Sequence, residues 1–327
     1  MENPAHYARA LTPGGRRHLA LARGRLHSTE RTPGLTDLDA EGVVDNDGVG
    51  VHYYEVGSAE APVTVVYIHG FTLAAESYYQ QVDALREMDV RQVLVDLRGH
   101  GQTGAVRPEL CSVDLAADDV WAVIQARNVS GPVILVGHSL GGLVALSLSR
   151  RYSGKFNLAG LVMINSSVEE LADQGVPQIL ATPTADAVYK AVETSPVEAD
   201  KFREEVTKII APGLAVAVFQ RDTDWELVDF HAAMIHETPL ETFVGYFDDL
   251  QEHEELQAGP SLRGVPGYIL VGAKDDVTPL AQADRLNEIW PEAYLQVIPH
   301  AGHMLLLETP EVVNAAIQRL VRRATSM

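Results

Sequence analysis

The chain has 327 residues, 46% of them apolar, enough to bury the core of one elaborated domain or of a domain carrying an insertion. Its net charge of −20 argues against nucleic acid and anionic membrane surfaces as partners, since both are bound through basic patches. A single cysteine, Cys111, excludes an intrachain disulfide and a cysteine-based metal cluster, and is expected to be a packing residue.

No apolar run approaches the roughly 18 residues needed to span a bilayer, and the N-terminus lacks the apolar centre of a signal peptide. A soluble, cytoplasmic enzyme without stable membrane insertion is therefore expected. Residues 1–36 hold six arginines against Glu2 and Glu30, a balance of +4 that leaves −24 for the remainder. We expect a basic N-terminal arm over 1–40, a tail partly mobile or docked on the acidic body, broken at Pro13-Gly14-Gly15 and Pro33-Gly34.

From 42 to 57 two β-prone runs flank Asp45-Asn46-Asp47-Gly48, which predicts a hairpin. Buried-type strands then alternate with amphipathic helices: strand 63–69, helix 75–87, strand 92–97, helix 113–127, strand 133–136, helix 142–151, strand 158–165. This rhythm predicts a mostly parallel sheet covered on both faces. Over 169–258 it stops, and short helical segments broken at Pro177, Pro183, Pro196, Pro212 and Pro239 predict a helical cap or lid. The rhythm returns with strand 268–271, helix 280–290, strand 293–298 and helix 312–322. One core, 41–168 and 259–327, is thus interrupted by an insertion expected to roof a site at the carboxyl edge of the sheet.

The most informative stretch is 132–148, PVILVGHSLGGLVALSL, in which a β-type run turns at Gly137-His138-Ser139-Leu140-Gly141 into a helix-type run. Side chains at the two glycines would crowd the strand and helix, and the tight turn holds the serine in a strained conformation that exposes Oγ. The same turn leaves the Leu140 amide at a helix start, where negative charge on a tetrahedral intermediate is favoured. This spacing is that of a nucleophile elbow.

A serine hydroxyl needs a base to take its proton, and the base needs a carboxylate to fix its tautomer. Both stand downstream of the insertion in the order Ser, Asp, His. Asp275, with Asp276 beside it, lies in the loop after strand 268–271, and His303 follows strand 293–298 in Pro299-His300-Ala301-Gly302-His303-Met304. His300 and His303 lack the helix and third ligand that a metal site requires.

Taken together these motifs resemble the α/β-hydrolase family over roughly 43–167 and 265–322. The family's oxyanion loop resembles His69-Gly70-Phe71, and its next strand end resembles Asp96-Leu97-Arg98-Gly99-His100-Gly101. The resemblance implies an α/β-hydrolase fold, Ser139 as nucleophile, His303 as general base and then acid, Asp275 as orienting carboxylate, and the amides of Phe71 and Leu140 as oxyanion donors, with no cofactor. The family's spacing of Gly272, acid and Pro279 favours Asp275 over Asp276. An alternative acid position in the family falls near Asn165, which supplies no charge. His69, Asp96, Arg98 and His100 are expected to hold the oxyanion loop and its neighbour in place.

A serine at the elbow decides against two branches of the family that the chain resembles, haloalkane dehalogenases and most epoxide hydrolases, which use aspartate there, and leaves acyl chemistry. Residues 169–258 carry 20 acidic and 5 basic side chains, which disfavours strongly anionic substrates. The expected substrate is a small-molecule, neutral carboxylic ester of small or medium acyl length. Phe219, Trp225, His231, Met234, Tyr246 and Phe247 are divided between cap core and pocket. A carbon–carbon bond hydrolase of a ring-fission product, an acyltransferase or perhydrolase, and a non-catalytic ligand-binding protein on the same fold are the other readings. The sequence leaves the oligomeric state and the purpose of the basic arm open.

Overall fold

Four valine- and leucine-rich runs, too apolar to face water on either side, form the middle of an eight-stranded sheet. The computed structural model describes residues 33–170, 218–221 and 223–326, so the expected arm falls outside them up to position 32 and the expected insertion falls outside them over 171–217. The strands are β1 (Ala40–Asn46), β2 (Val49–Val56), β3 (Thr64–Ile68), β4 (Arg91–Val95), β5 (Pro132–His138), β6 (Asn157–Ile164), β7 (Gly267–Gly272) and β8 (Ala293–Ile298). They run in the order β1-β2-β4-β3-β5-β6-β7-β8. The β1–β2 hairpin turns at Asp47 and Gly48, both at positive φ, and β2 pairs antiparallel with β4. From β4 to β8 every pairing is parallel.

The helices are α1 (Tyr79–Ala84), α2 (Val113–Ala126), α3 (Leu140–Arg151), α4 (Trp225–Glu237), α5 (Leu240–Glu252), α6 (Gly259–Leu262), α7 (Leu280–Ile289), α8 (Leu305–Glu308) and α9 (Pro310–Thr325). Side chains that alternate along β3 feed two cores. Val65 and Tyr67 pack with Val82 of α1 and Ile317 and Leu320 of α9, whereas Val66 and Ile68 pack with Val120 and Val123 of α2 and Leu143 and Leu146 of α3. No helix of the described residues is long and apolar enough to cross a membrane.

Most elements lie within a few residues of where the periodicity puts them, and the clearest departure is the helix expected over 75–87. It begins as a 3-10 turn, Ala75–Tyr78, and α1 ends at Ala84. The chain then unwinds through i to i−3 bonds, Leu85 N to Val82 O and Met88 N to Leu85 O, to reach β4 at Arg91. Apolar periodicity does not register this tightening, because the buried residues Tyr78, Tyr79 and Val82 keep a helical spacing across it.

The segment between β6 and β7 is tied to the core by polar contacts. Thr242 Oγ1 of α5 donates to Gly99 O (2.7 Å), Tyr246 OH donates to Arg98 O (3.3 Å), and Asp249 accepts from Val113 N (2.8 Å). Where the chain leaves that segment, Glu255 N donates to Val168 O (2.8 Å), and the buried Glu255 carboxylate takes both Nε and an Nη of Arg150 (2.8 and 2.9 Å).

The sheet order has one consequence for function. From β3 the chain moves to β4 on one side, then crosses back to β5 on the other, so the connections diverge between β3 and β5. Ligands of open parallel sheets bind at such a divergence, beyond the carboxyl ends of the strands. His69-Gly70-Phe71 follows β3 there, and Ser139 follows β5.

Candidate active site

Ser139 joins β5 to α3 with φ 52° and ψ −119°, a region that costs an L-residue of order 1–3 kcal/mol. Local bonds hold it there. Ser139 N donates to Ile164 O (3.0 Å), and Ser139 O accepts from Gly142 N (2.9 Å) and Ser166 Oγ (2.8 Å). Between Val133 and Ser149 it alone is not buried, so the turn presents this one side chain to the open edge of the sheet. Gly141 lies against the carbonyls of Ile68 and His69, where a Cβ would be 2.5 Å from His69 O and closer still to Ile68 O. That close approach sets the start of α3, with the Leu140 amide, against the loop that carries Phe71.

The loop after β3 is held from below. Buried Asp96 accepts from Ala75 N (2.8 Å), Gln102 N (2.8 Å) and Tyr54 OH (3.0 Å), which joins it to the loop after β4. His69 Nε2 accepts from Leu97 N (3.0 Å) while its Nδ1–H donates to Gly70 O (2.8 Å). Thr72, β-branched and at φ 59°, gives its N–H to His100 Nε2 (3.2 Å), and His100 Nδ1–H donates to Arg98 O (3.1 Å). Burial, with His69 nearby, lowers the His100 pKa to about 3, so the ring is neutral and its acceptor lone pair is available to Thr72. Arg98 forms a buried two-point pair with Asp119 at 2.7 Å for each bond. Phe71 packs against Phe243 (5.2 Å between ring centroids), with Tyr246 and His100 beside it.

Asp275 follows β7 and His303 follows β8, and the structure brings them together. His303 Nδ1–H donates to both carboxylate oxygens of Asp275, at 3.1 and 3.0 Å. Oδ1 also accepts from Val277 N (2.8 Å) and Thr278 N (3.0 Å), and Oδ2 accepts from Thr278 Oγ1 (2.6 Å). Burial alone would raise the Asp275 pKa. The His303 charge and hydrogen bond, with the two Thr278 donors, outweigh it and hold the carboxyl below its ordinary value.

His138, next to Ser139, links the elbow to this pair. Its Nε2–H donates to His303 O (3.0 Å), and the two rings lie 4.9 Å apart. Burial and the neighbouring His303 lower the His138 pKa to about 3. Asn165 closes the arrangement: its amide donates to Gly302 O (2.8 Å) and His303 O (2.6 Å), while its Oδ1 accepts from Gly272 N (2.8 Å).

Ser139, Leu140, Phe71, Asp275 and His303 therefore stand on neighbouring loops at one edge of the sheet. Asp276 is exposed, and His300 is exposed with φ 61°. Of the aromatic residues singled out in the segment before β7, Tyr246 is fully buried beneath Phe71, and Phe219 meets His231 edge-on at 5.6 Å. Cys111 is buried, and burial pushes its thiol up to about 12. Sequence reasoning missed the bracing roles of Asn165 and Thr278. Their signals are a polar residue ending the apolar run of β6 and a hydroxyl three residues after the acid.

A serine on a strand-to-helix turn, with a histidine paired to a buried carboxylate on neighbouring loops at the switch point of a parallel sheet, has the layout of a nucleophilic hydrolase site. A family model described as the alpha/beta hydrolase family matches residues 65–316. The chain belongs to the α/β-hydrolase family. It is 26% identical over 289 residues, 87% of this chain and 92% of the relative, to the 2-hydroxy-6-oxo-6-(2'-aminophenyl)hexa-2,4-dienoic acid hydrolase of Metapseudomonas resinovorans. Among solved structures it shares its fold with a thermophilic esterase from Thermogutta terrifontis (TM-score 0.69, 23% identity, 87% of this chain and 98% of that one). The same holds for an enol-lactonase from Burkholderia xenovorans LB400 (TM-score 0.68, 17% identity, 86% of this chain and 100% of that one).

Proposed function

We propose that the chain is a serine hydrolase that cleaves a neutral carboxylic ester of small or medium acyl length through an acyl-serine. The reading is carried by one observation: Ser139 stands, half-buried, in a strained turn whose neighbour His138 touches His303, itself hydrogen-bonded to Asp275. With Nδ1–H given to Asp275, His303 keeps its Nε2 lone pair to accept the Ser139 proton. Oγ then bonds to the acyl carbon, the oxyanion turns to the amides of Phe71 and Leu140, and the leaving alkoxide departs with the proton from Nε2. Water, deprotonated by the same nitrogen, hydrolyses the acyl-serine. The acidic balance of residues 169–258 disfavours anionic esters.

A fluorophosphonate should label the wild type on Ser139, and Ser139→Ala should lose both labelling and p-nitrophenyl ester turnover. Unchanged turnover in Ser139→Ala would sink the proposal. The relative that hydrolyses a hexadienoic acid supports a second reading, cleavage of a carbon–carbon bond in a vinylogous diketone. Comparing simple esters with such diketones separates the two, because a carbon–carbon hydrolase would strongly prefer the diketone.

A further inference from the structure

His303 is braced from a direction that its pairing with Asp275 does not explain. Glu308, the last residue of α8, turns its carboxylate back under the histidine loop. Oε1 accepts from Gly302 N (3.1 Å) and Met304 N (3.2 Å), the amides on either side of His303. Oε2 accepts from Gln220 N (3.0 Å) and Arg221 N (3.0 Å), on the chain that leads into α4, and it lies 3.2 Å from Gly302 N. The His303 amide itself donates to Val218 O (3.0 Å). Gly302 packs so closely on this chain that a Cβ would fall 2.5 Å from Val218 O and 2.8 Å from Gln220 Cγ.

Three consecutive amides of the histidine loop are thus bonded across to residues 218–221 or to the one carboxylate that also holds residues 220 and 221. None of these donors belongs to a helix or a sheet ladder, so without Glu308 four of the five backbone groups would need other partners. An ionised acceptor makes each bond stronger than a neutral one would. On the far side of the loop Asn165 holds the carbonyls of Gly302 and His303, which leaves Glu308 and Val218 to set its tilt.

We propose that Glu308 is a positioning residue that couples the placement of His303 to the segment entering α4. The inference rests on His303 being the general base proposed above. It follows that the segment 218–221, and whatever bears on it from α4, is read at the base. Phe219 on that segment already meets His231 of α4, and the electrostatic influence of His231 reaches His138. Proton transfer tolerates displacement of the base poorly, since an error of about 1 Å costs on the order of a hundredfold in rate.

The test is Glu308→Gln, with Glu308→Asp as the milder variant. Glutamine keeps one acceptor oxygen and turns an NH2 toward the other pair of amides, so only one of the two segments stays bonded. Aspartate keeps the charge but falls one methylene short. Steady-state hydrolysis of a short p-nitrophenyl ester should show kcat lowered about tenfold to a hundredfold in Glu308→Gln, with KM within about twofold. Glu308→Asp should lie between it and the wild type. In Glu308→Ala, added formate should restore part of kcat without changing KM, which loss of fold would not permit. A folded Glu308→Gln with wild-type kcat overturns the proposal. So does failure of both Glu308→Gln and Glu308→Asp to fold, which would make Glu308 a residue of the fold alone. A wild type without serine-dependent turnover fails the parent reading; serine-dependent turnover that Glu308→Gln leaves unchanged fails only this one.

Discussion

Replacing Asp275 by asparagine tests the orientation of the proposed base, His303, at a single atom. Oδ1 faces two backbone N–H groups, of Val277 and Thr278, so the amide oxygen of an asparagine must take that place. The NH2 then falls where Oδ2 was, 2.6 Å from Thr278 Oγ1, which can rotate to accept, and 3.0 Å from His303 Nδ1. An N–H aimed at Nδ1 favours the imidazole tautomer that carries its proton on Nε2, and that nitrogen can no longer accept from Ser139. The fold is spared, because the shape and all but one of the hydrogen bonds are kept. The triad precedent puts the cost of the wrong tautomer near 10⁴ in kcat. The remaining contact of His303 with the oxygen at 3.1 Å softens it, so we expect a loss of about 10³ to 10⁴, or roughly 4 to 5 kcal/mol of barrier. The assay is p-nitrophenyl ester turnover near neutral pH, with circular dichroism to show that the variant is folded. Asp276→Asn, at an exposed position, should retain wild-type rates. A folded Asp275→Asn variant within tenfold of the wild type would refute the orienting role.

Two further outcomes follow from the packing. Gly141→Ala presses a methyl group onto the carbonyls of Ile68 and His69, which belong to the backbone and cannot rotate aside. It should destabilise by about 1–3 kcal/mol or more and lower the rate of fluorophosphonate labelling beyond any effect on the midpoint of urea unfolding; wild-type labelling would contradict the close approach. In acid, His100 and His138 oppose folding. Their folded pKa values of about 3 lie below the unfolded value, so the unfolded chain takes up protons first. Stability should therefore fall as the pH drops from about 6.5 toward about 3, by on the order of 1 kcal/mol per pH unit for each histidine. Urea titrations at pH 6.5 and 4.5 check this, and a His100→Gln variant that loses as much stability as the wild type over that interval would refute it.

The fold was legible because its signals are repetitive. Apolar strands buried on both faces, alternating with amphipathic helices, specify a doubly covered parallel sheet, and the elbow at Ser139 carries its own steric signature. Asp275 and His303 were legible by position, each following the carboxyl end of a strand. What could not be read is the bracing. Asn165 and Glu308 act by hydrogen bonds to backbone groups that only the folded chain brings near, and the amides that donate to Glu308 are separated from it by as many as 88 residues, while Thr278 acts on the Asp275 carboxylate through a hydroxyl that no periodicity marks. A polar residue that serves a main-chain amide has no periodicity and no fixed partner type. His69 and His100 were read only as members of a supporting set, because which ring nitrogen accepts depends on amides in two different loops.

Those tautomers bear on the electrostatics of the proposed reaction. Four histidines crowd the edge of the sheet, with His69 and His100 rings 5.1 Å apart and His138 and His303 rings 4.9 Å apart. Three of them spend their N–H on a backbone carbonyl: His69 on Gly70, His100 on Arg98 and His138 on His303. Only His303 spends it on a carboxylate, and that carboxylate is held ionised by its surroundings. In the proposed reaction, a positive charge at His138 would repel the one that His303 acquires on taking the serine proton. Burial that drives His138 to about 3 prevents this, and at His100 the same burial preserves the lone pair that holds Thr72 at positive φ beside Phe71. The burial that keeps His100 and His138 neutral thus leaves, among these four rings, one N–H that meets a charged partner, the Nδ1–H of His303 on Asp275.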